Sequence, residues 1–366
     1  MLLFYLLFIY MVQAELAFVA QLSRHGIRAP KKYFNFNKDH WKEYELAELT
    51  PPGQRQQYLI GAEMRRRYIE EFPLIQPSYN NSQVHILTTD SKRTMMSAHC
   101  QMLGMFPGGT GPDTFVAARP PIKIQGVEKL EYELGKAALP YKSSCFAIKN
   151  EVKGNEKILH GYKETTCPRI HKIKEAIKLT PRYRETEAFY QQTLFPRVSK
   201  ALDMKIDTIG LAARVHGAIA AEIANGYGIP SGLTMDDYMA LGEVHRYNMY
   251  TAPFSDREAR VMSCNYFIRD LLAKIENSDK GPKYMLYAGH DNTLIAVISC
   301  LESAYQPLPD YSSMVLFEYY KNDTIRISYN DKQLELPYCR HPCDYKDFKN
   351  HLLQYTAEDV EDRCKC

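Results

Sequence analysis

The chain has 366 residues, a formal net charge of +3, 45% hydrophobic and 24% charged residues. That composition belongs to a globular enzyme and excludes a fibrous, disordered or membrane-embedded chain, and so weak a positive field excludes nucleic acid as the main partner. After the N-terminus no stretch approaches the ~18 consecutive apolar residues of a bilayer span, so no membrane anchor is expected.

Residues 1–14, MLLFYLLFIYMVQA, form an uncharged apolar run too short to span and closing on Val12 and Ala14, which reads as a signal peptide. The mature protein is then expected in the secretory pathway, either secreted or lysosomal, where thiols tend to oxidise. Of the nine cysteines, Cys339 and Cys343 close the short loop CRHPC and are expected to pair, while Cys364 and Cys366 read as a staple for the tail. Asn80 and Asn322 begin glycosylation sequons.

LAFVAQLS (16–23) reads as a strand that ends on Arg24, His25, Gly26, Ile27 and Arg28. A helix is predicted from Thr50, with Pro51 in its first turn, and Arg65, Arg66 and Arg67 lie on its solvated face. QVHILTT (83–89) is a second strand, followed by Asp90, Ser91, Lys92 and Arg93 and then a helical run. From about 115 to 280 the periodicity is mostly helical. There Thr180-Pro181 opens a helix toward Met204, residues 210–230 stop at Gly226 and Gly228 before Pro230, and Ser255 to Glu258 form a capping box for a run to about Glu276. This block holds no recognisable chemical motif. KYMLYAG (283–289) is a third strand, leading through His290, Asp291 and Asn292 into TLIAVISCL. SMVLFEYY is predicted to pair with TIRISYN (324–330) across Lys321-Asn322-Asp323.

Strands alternating with helices predict an α/β fold, with residues 15–114 and 281–366 as the core and 115–280 as helical cap and flanking helices. In such folds sites form beyond the carboxyl ends of the strands, so three apices carrying five Arg and His side chains and one Asp can converge on one pocket. A guanidinium fork matches phosphate oxygens bidentately and stays charged, which makes Arg24, Arg28 and Arg93, with His290 as a further donor, a clamp for a phosphoryl group. His25 could anchor, act as base or act as nucleophile. Neighbouring guanidinium charges disfavour its imidazolium and keep a lone pair free in acid, which favours the nucleophile. Asp291 is the one carboxylate beside these groups with the role of proton donor to a leaving alcohol open to it. Arginines lower its pKa, but a bound phosphoryl anion opposes them, so activity is expected in acid. No metal or other cofactor is expected.

Arg24-His25-Gly26-Ile27-Arg28-Ala29-Pro30 matches the RHGxRxP motif of the histidine acid phosphatases at every fixed position, and the chain resembles that family. His290-Asp291 is similar to its C-terminal HD pair, Thr89-Asp90-Ser91-Lys92-Arg93-Thr94 to its second arginine motif, and residues 49–68 to its Leu-Thr-x-x-Gly helix. The resemblance implies a phosphoglycerate-mutase-like, mostly parallel sheet flanked by helices with an inserted helical cap. It implies a phosphohistidine on His25, phosphate binding by Arg24, Arg28, Arg93 and His290, proton donation by Asp291, and phosphate monoesters as substrates. It also suggests a homodimer, and a bridge from Cys167 to Cys364 or Cys366; Cys100, Cys145, Cys264 and Cys300 stay unassigned. The rival readings are a catalytically inactive protein that binds phosphate ligands, and a phytase-like enzyme for which Lys31 and Lys32 extend the positive charge toward a polyphosphorylated substrate. A solvated basic turn is the plainer account of those two lysines.

Overall fold

Residues 16–24 alternate their side chains between two buried layers, and the rest of the molecule follows from that strand. A computed structural model describes residues 14–116 and 119–365, so the leader read over 1–14 lies, except for Ala14, outside the described residues. The strands are β1 (Leu16–Arg24), β2 (Val84–Thr88), β3 (Ile148–Asn150), β4 (Tyr284–Gly289), β5 (Met314–Tyr320), β6 (Thr324–Tyr329), β7 (Lys332–Gln333) and β8 (Cys343–Asp344). The helices are α1 (Pro51–Arg65), α2 (Lys92–Met105), α3 (Val127–Leu134), α4 (Pro168–Lys178), α5 (Pro181–Thr193), α6 (Phe195–Ala201) and α7 (Ile209–Ala224). They continue with α8 (Met235–Arg246), α9 (Ala252–Phe254), α10 (Arg257–Glu276), α11 (Asp291–Cys300), α12 (Tyr345–Leu353) and α13 (Val360–Lys365).

The sheet runs β3-β2-β4-β1-β5-β6-β7, with β8 also paired to β6. It is mixed: β3, β2, β4 and β1 are parallel, and β5 through β8 are antiparallel. The parallel half carries the three predicted apices, and the predicted 313–320 and 324–330 pair is the β5/β6 hairpin, with Val315 opposite Tyr329. Strand alternation splits the core in two. Phe18, Ala20, Leu22, Met285 and Tyr287 pack with Leu271 of α10 and Leu294 of α11 on one face, while Val19, Val84, Ile86, Leu286 and Ala288 pack with Met64 of α1 and Met102 of α2 on the other. Each valine, leucine, isoleucine, phenylalanine or methionine among them contributes ~1.5–3 kcal/mol by leaving water, which is why nearly continuous apolar runs form the central strands.

The middle segment is mainly helical, with its own core of Leu194, Phe195, Val198, Val215, Ile219, Leu241 and Val244, against which Phe34 packs. It also supplies β3, which adds to the parallel edge of the sheet beside β2. The helix expected toward Met204 breaks into α5 and α6 around Pro196, since proline cannot donate its backbone hydrogen bond. α7 ends as expected, and Gly226 and Gly228 take φ of +86° and +83°. The cap of α10 is Asp256, one residue along from the predicted Ser255, with its carboxylate accepting from Ala259 N–H at 3.1 Å. Arg65, Arg66 and Arg67 are ion-paired to Glu70, Glu63, Glu71 and Asp331 where α1 runs on into a π-helical turn. Disulfides join Cys339 to Cys343 and Cys167 to Cys364, the second fixing α13 to the start of α4. Cys100, Cys145, Cys264 and Cys300 are free.

Candidate active site

Register brings the apices level. Arg24 pairs with Gly289 across β1 and β4, and Ala288 pairs with both Ser23 and Thr88, so three parallel strands end on one line with β4 in the middle. His25 N–H then donates to Gly289 O at 3.1 Å, and Arg24 N–H to Ser313 O at 2.8 Å.

The loop after β1 is held from below by α1 and α2. Thr50 and Gln56 bind the backbone of Ile27, and Ser97 accepts from Gly26 N–H at 3.1 Å. Gly26 and Gly53 meet back to back: a Cβ on Gly53 would lie 2.0 Å from Ile27 O, and one on Gly26 2.4 Å from Gly53 O. The backbone that Gly26 approaches closely is therefore that of helix α1. Beneath them lies a buried glutamine network. Gln101 donates to Ser23 Oγ and Gln57 Oε1 and accepts from Gln21, while Gln57 donates to Arg24 O. Gln21 and Ser23, two apart in an otherwise apolar strand, share a face, and that polar pair is the sequence signal for this network.

All six predicted residues face one another. The His25 and His290 rings lie 5.5 Å apart, centre to centre, at 70°. The Arg24 guanidinium is 2.9 Å from Asp291 Oδ2 and stacks on the Tyr311 ring at 4.4 Å, with Arg28 5.6 Å from the same ring. Arg93 reaches His290 Nδ1 at 3.2 Å, and Thr89 Oγ1 lies 2.9 Å from His290 Nε2. His25, His290 and Asp291 are buried. His25 Nδ1 lies 2.9 Å from Gly26 O. A carbonyl only accepts, so Nδ1 carries the proton and Nε2 holds the lone pair. That Nε2 is buried with no hydrogen-bond partner, as are the Nε–H donors of Arg24, Arg28 and Arg93.

Burial, then Arg93, Arg24 and Arg28, hold His25 well below the usual histidine range. Burial pushes the Asp291 carboxyl up, but Arg24 and Lys31 outweigh it and hold the group well below the usual carboxylate range. The site opens into a cavity of about 940 Å³ whose walls include Lys31, Lys32, His171, Lys174, Lys178 and Arg214. Lys31 feels the attraction of Asp291, yet desolvation on the wall and the nearby arginines bring it down to about 8. Lys31 is thus part of the site wall, while Lys32 lies over the Phe34 ring at 5.3 Å. The middle segment, which shows no motif, also contributes: His216 and His245 line the cavity with Nδ1 atoms 2.9 Å apart, and His160 stacks on His290. These are single histidines on helices and loops, with no spacing to mark them.

Residues 15–330 match the model of the histidine phosphatase superfamily, branch 2. Lysosomal acid phosphatase of Xenopus laevis is 24% identical over 371 residues, covering 96% of this chain and 79% of the relative. Prostatic acid phosphatase of Bos taurus is 24% identical over 374 residues, covering 96% and 88%. The apo form of Hafnia alvei phytase superposes with a TM-score of 0.67 at 16% identity, covering 94% of this chain and 98% of that one, a likeness of fold.

Proposed function

The chain belongs to branch 2 of the histidine phosphatase superfamily and is a phosphatase, and from that premise we propose that it hydrolyses phosphate monoesters in acid through a phosphohistidine on His25. The observation that carries this reading is the unpartnered Nε2 lone pair of His25, fixed by the Nδ1 contact to Gly26 O and surrounded by three arginines.

The geometry supports the following steps. A phosphate ester entering the cluster accepts from Arg24, Arg28 and Arg93, and the clamp places phosphorus at the lone pair. His25 Nε2 forms a bond to phosphorus as the ester oxygen leaves, and Asp291 gives that oxygen a proton. Water then attacks the phosphohistidine, Asp291 takes the water's proton, the N–P bond breaks, and His25 returns to its neutral form. The dianion draws the Arg24 donors away from Asp291, which raises the carboxyl's pKa and lets it carry a proton in acid. The secretory pathway, secreted or lysosomal, is the compartment that an acid optimum, two disulfides and the N-terminal apolar run support. Among the described residues no helix is long and apolar enough to cross a membrane.

Trapping tests the mechanism. Protein quenched with labelled phosphate ester should carry a label that survives alkali and leaves in acid, as a phosphoramidate does. An acid-stable, alkali-labile label would mean an ester on a hydroxyl and would end the histidine reading.

The cationic cavity wall favours a second, narrower reading, a substrate bearing several phosphates. Under it, Lys31→Met raises KM for myo-inositol hexakisphosphate by about tenfold and leaves that for p-nitrophenyl phosphate within twofold, since one charge–charge contact of ~1.4 kcal/mol is removed. Equal effects on both substrates would reject it.

A further inference from the structure

We propose that Glu156 and His160, from the helical middle segment, form a positioning dyad that holds the His290 ring in the orientation that receives phosphate. The inference rests on the phosphatase reading of this site and names two residues that reading does not use.

The His160 ring lies flat on His290, with ring centres 4.4 Å apart and planes 5° from parallel. His160 Nδ1 lies 2.9 Å from Glu156 Oε1 in van der Waals contact without hydrogen-bond geometry, and the two side chains are 2% and 4% exposed. The same Glu156 oxygen accepts from Asp90 N–H at 3.0 Å, at the apex of the second strand, and Lys163 Nζ lies 3.5 Å from its partner oxygen. One buried carboxylate thereby holds the Asp90 apex that leads into α2 and Arg93, and packs against the ring that covers the face of His290. The segment is anchored on both sides: Glu151 N–H donates to Thr88 O at 2.9 Å, its carboxylate accepts from Ile158 and Leu159 N–H at 2.8 Å each, and Leu159 O accepts from Thr293 Oγ1 of α11 at 2.8 Å.

The need for such a support lies in the edge contacts of His290. Its ring is held in plane by Thr89 Oγ1 and by the Arg93 guanidinium. When Arg93 turns to phosphate, one of the two is given up, and Thr89 alone allows the ring to pivot. A flat ring packed over its face prevents that tilt at no cost in bonds. Burial and Lys163 bring His160 down to about 4, and burial and Arg93 hold His290 well below the usual histidine range, so the two rings stack as neutral partners.

The test is calorimetric titration of the full chain with inorganic phosphate, alongside phosphate release from p-nitrophenyl phosphate. His160→Ala is expected to weaken phosphate binding about tenfold, and Glu156→Ala by a similar factor. The double variant should be no weaker than the weaker single one within about twofold, because the two act as a unit. His160→Phe keeps a flat ring in the slot but gives up the contact with Glu156, so it should recover part of the affinity, to between that of His160→Ala and wild type. Binding by His160→Ala within twofold of wild type, losses that multiply in the double variant, or a His160→Phe protein as weak as His160→Ala would each overturn the dyad. A wild-type protein that neither binds nor releases phosphate would instead sink the phosphatase reading and the dyad with it, so the two failures are told apart by the wild-type titration.

Discussion

Arg24 and Asp291 sit 2.9 Å apart, and under the proposed mechanism that pairing governs when Asp291 can give up a proton. In the free site Arg24 and Lys31 hold the carboxyl well below the usual carboxylate range, so the proposed donor role requires phosphate to take the guanidinium and acid to supply the proton. Asp291→Asn removes the donor while keeping the shape. It is expected to slow alkyl phosphate hydrolysis by ~10²–10⁴-fold, because an alkoxide leaves poorly, and to spare p-nitrophenyl phosphate by comparison. Measuring kcat/KM for the two esters checks this, and equal losses would contradict the donor role. The convergence of these six residues was legible in the sequence because arginine and histidine at three strand ends have few uses other than anion chemistry. Tyr311, which carries Arg24 on its ring face, was not legible, since a tyrosine in a loop has no pattern that distinguishes it.

At the scale of elements, the contact between the first apex and α1 is made of backbone. Gly53 sits in the first turn of α1 with Ile27 O where its Cβ would be, so Gly53→Ala must push the catalytic loop off the helix. Overpacking of this kind costs ~1–3 kcal/mol, and a shift of ~1 Å at His25, the proposed nucleophile, costs on the order of 10²-fold in rate. The expected outcome is a lowered Tm together with kcat/KM down by about that factor; a variant with wild-type kinetics would show that the loop position is set elsewhere. The sequence placed both glycines in their motifs, but the pairing between them spans separate elements and has no local signature. The same holds for the Asp256 cap, where two neighbouring residues could each cap a helix and only backbone geometry chose.

For the molecule as a whole, buried titratable groups set a stability profile distinct from the activity profile. Burial is the first cause in each case: it lowers His160 to about 4, His216 to about 3 and His245 to about 4, and it raises Glu151 to about 7. A histidine depressed in the folded state contributes stability above the unfolded value of ~6.5 and loses it as pH falls through the folded value. Glu151, raised on folding, works in the opposite direction: its contribution is present below ~4.3 and is lost as pH rises through about 7. Three histidines outweigh one glutamate, so Tm is expected to fall between pH 6.5 and 4, and more steeply below ~4.3, where Glu151 no longer compensates. Calorimetric scans at pH 7, 5.5 and 4 check this. A Tm that rises steadily toward pH 4 would show that these groups are solvated in the folded protein.

Composition, periodicity and the three strand-end motifs by themselves determined an α/β chain with two histidines, three arginines and an aspartate at the ends of its strands, because apolar alternation and side-chain chemistry are local properties. Only the tertiary structure decided that the predicted hairpin joins the sheet antiparallel to β1, that Cys167 closes on Cys364 rather than Cys366, and that a glutamate and a histidine from the motif-free middle segment lie against the site. Those outcomes depend on which surfaces meet across long stretches of chain, and a contact between distant residues leaves no spacing for a sequence to display.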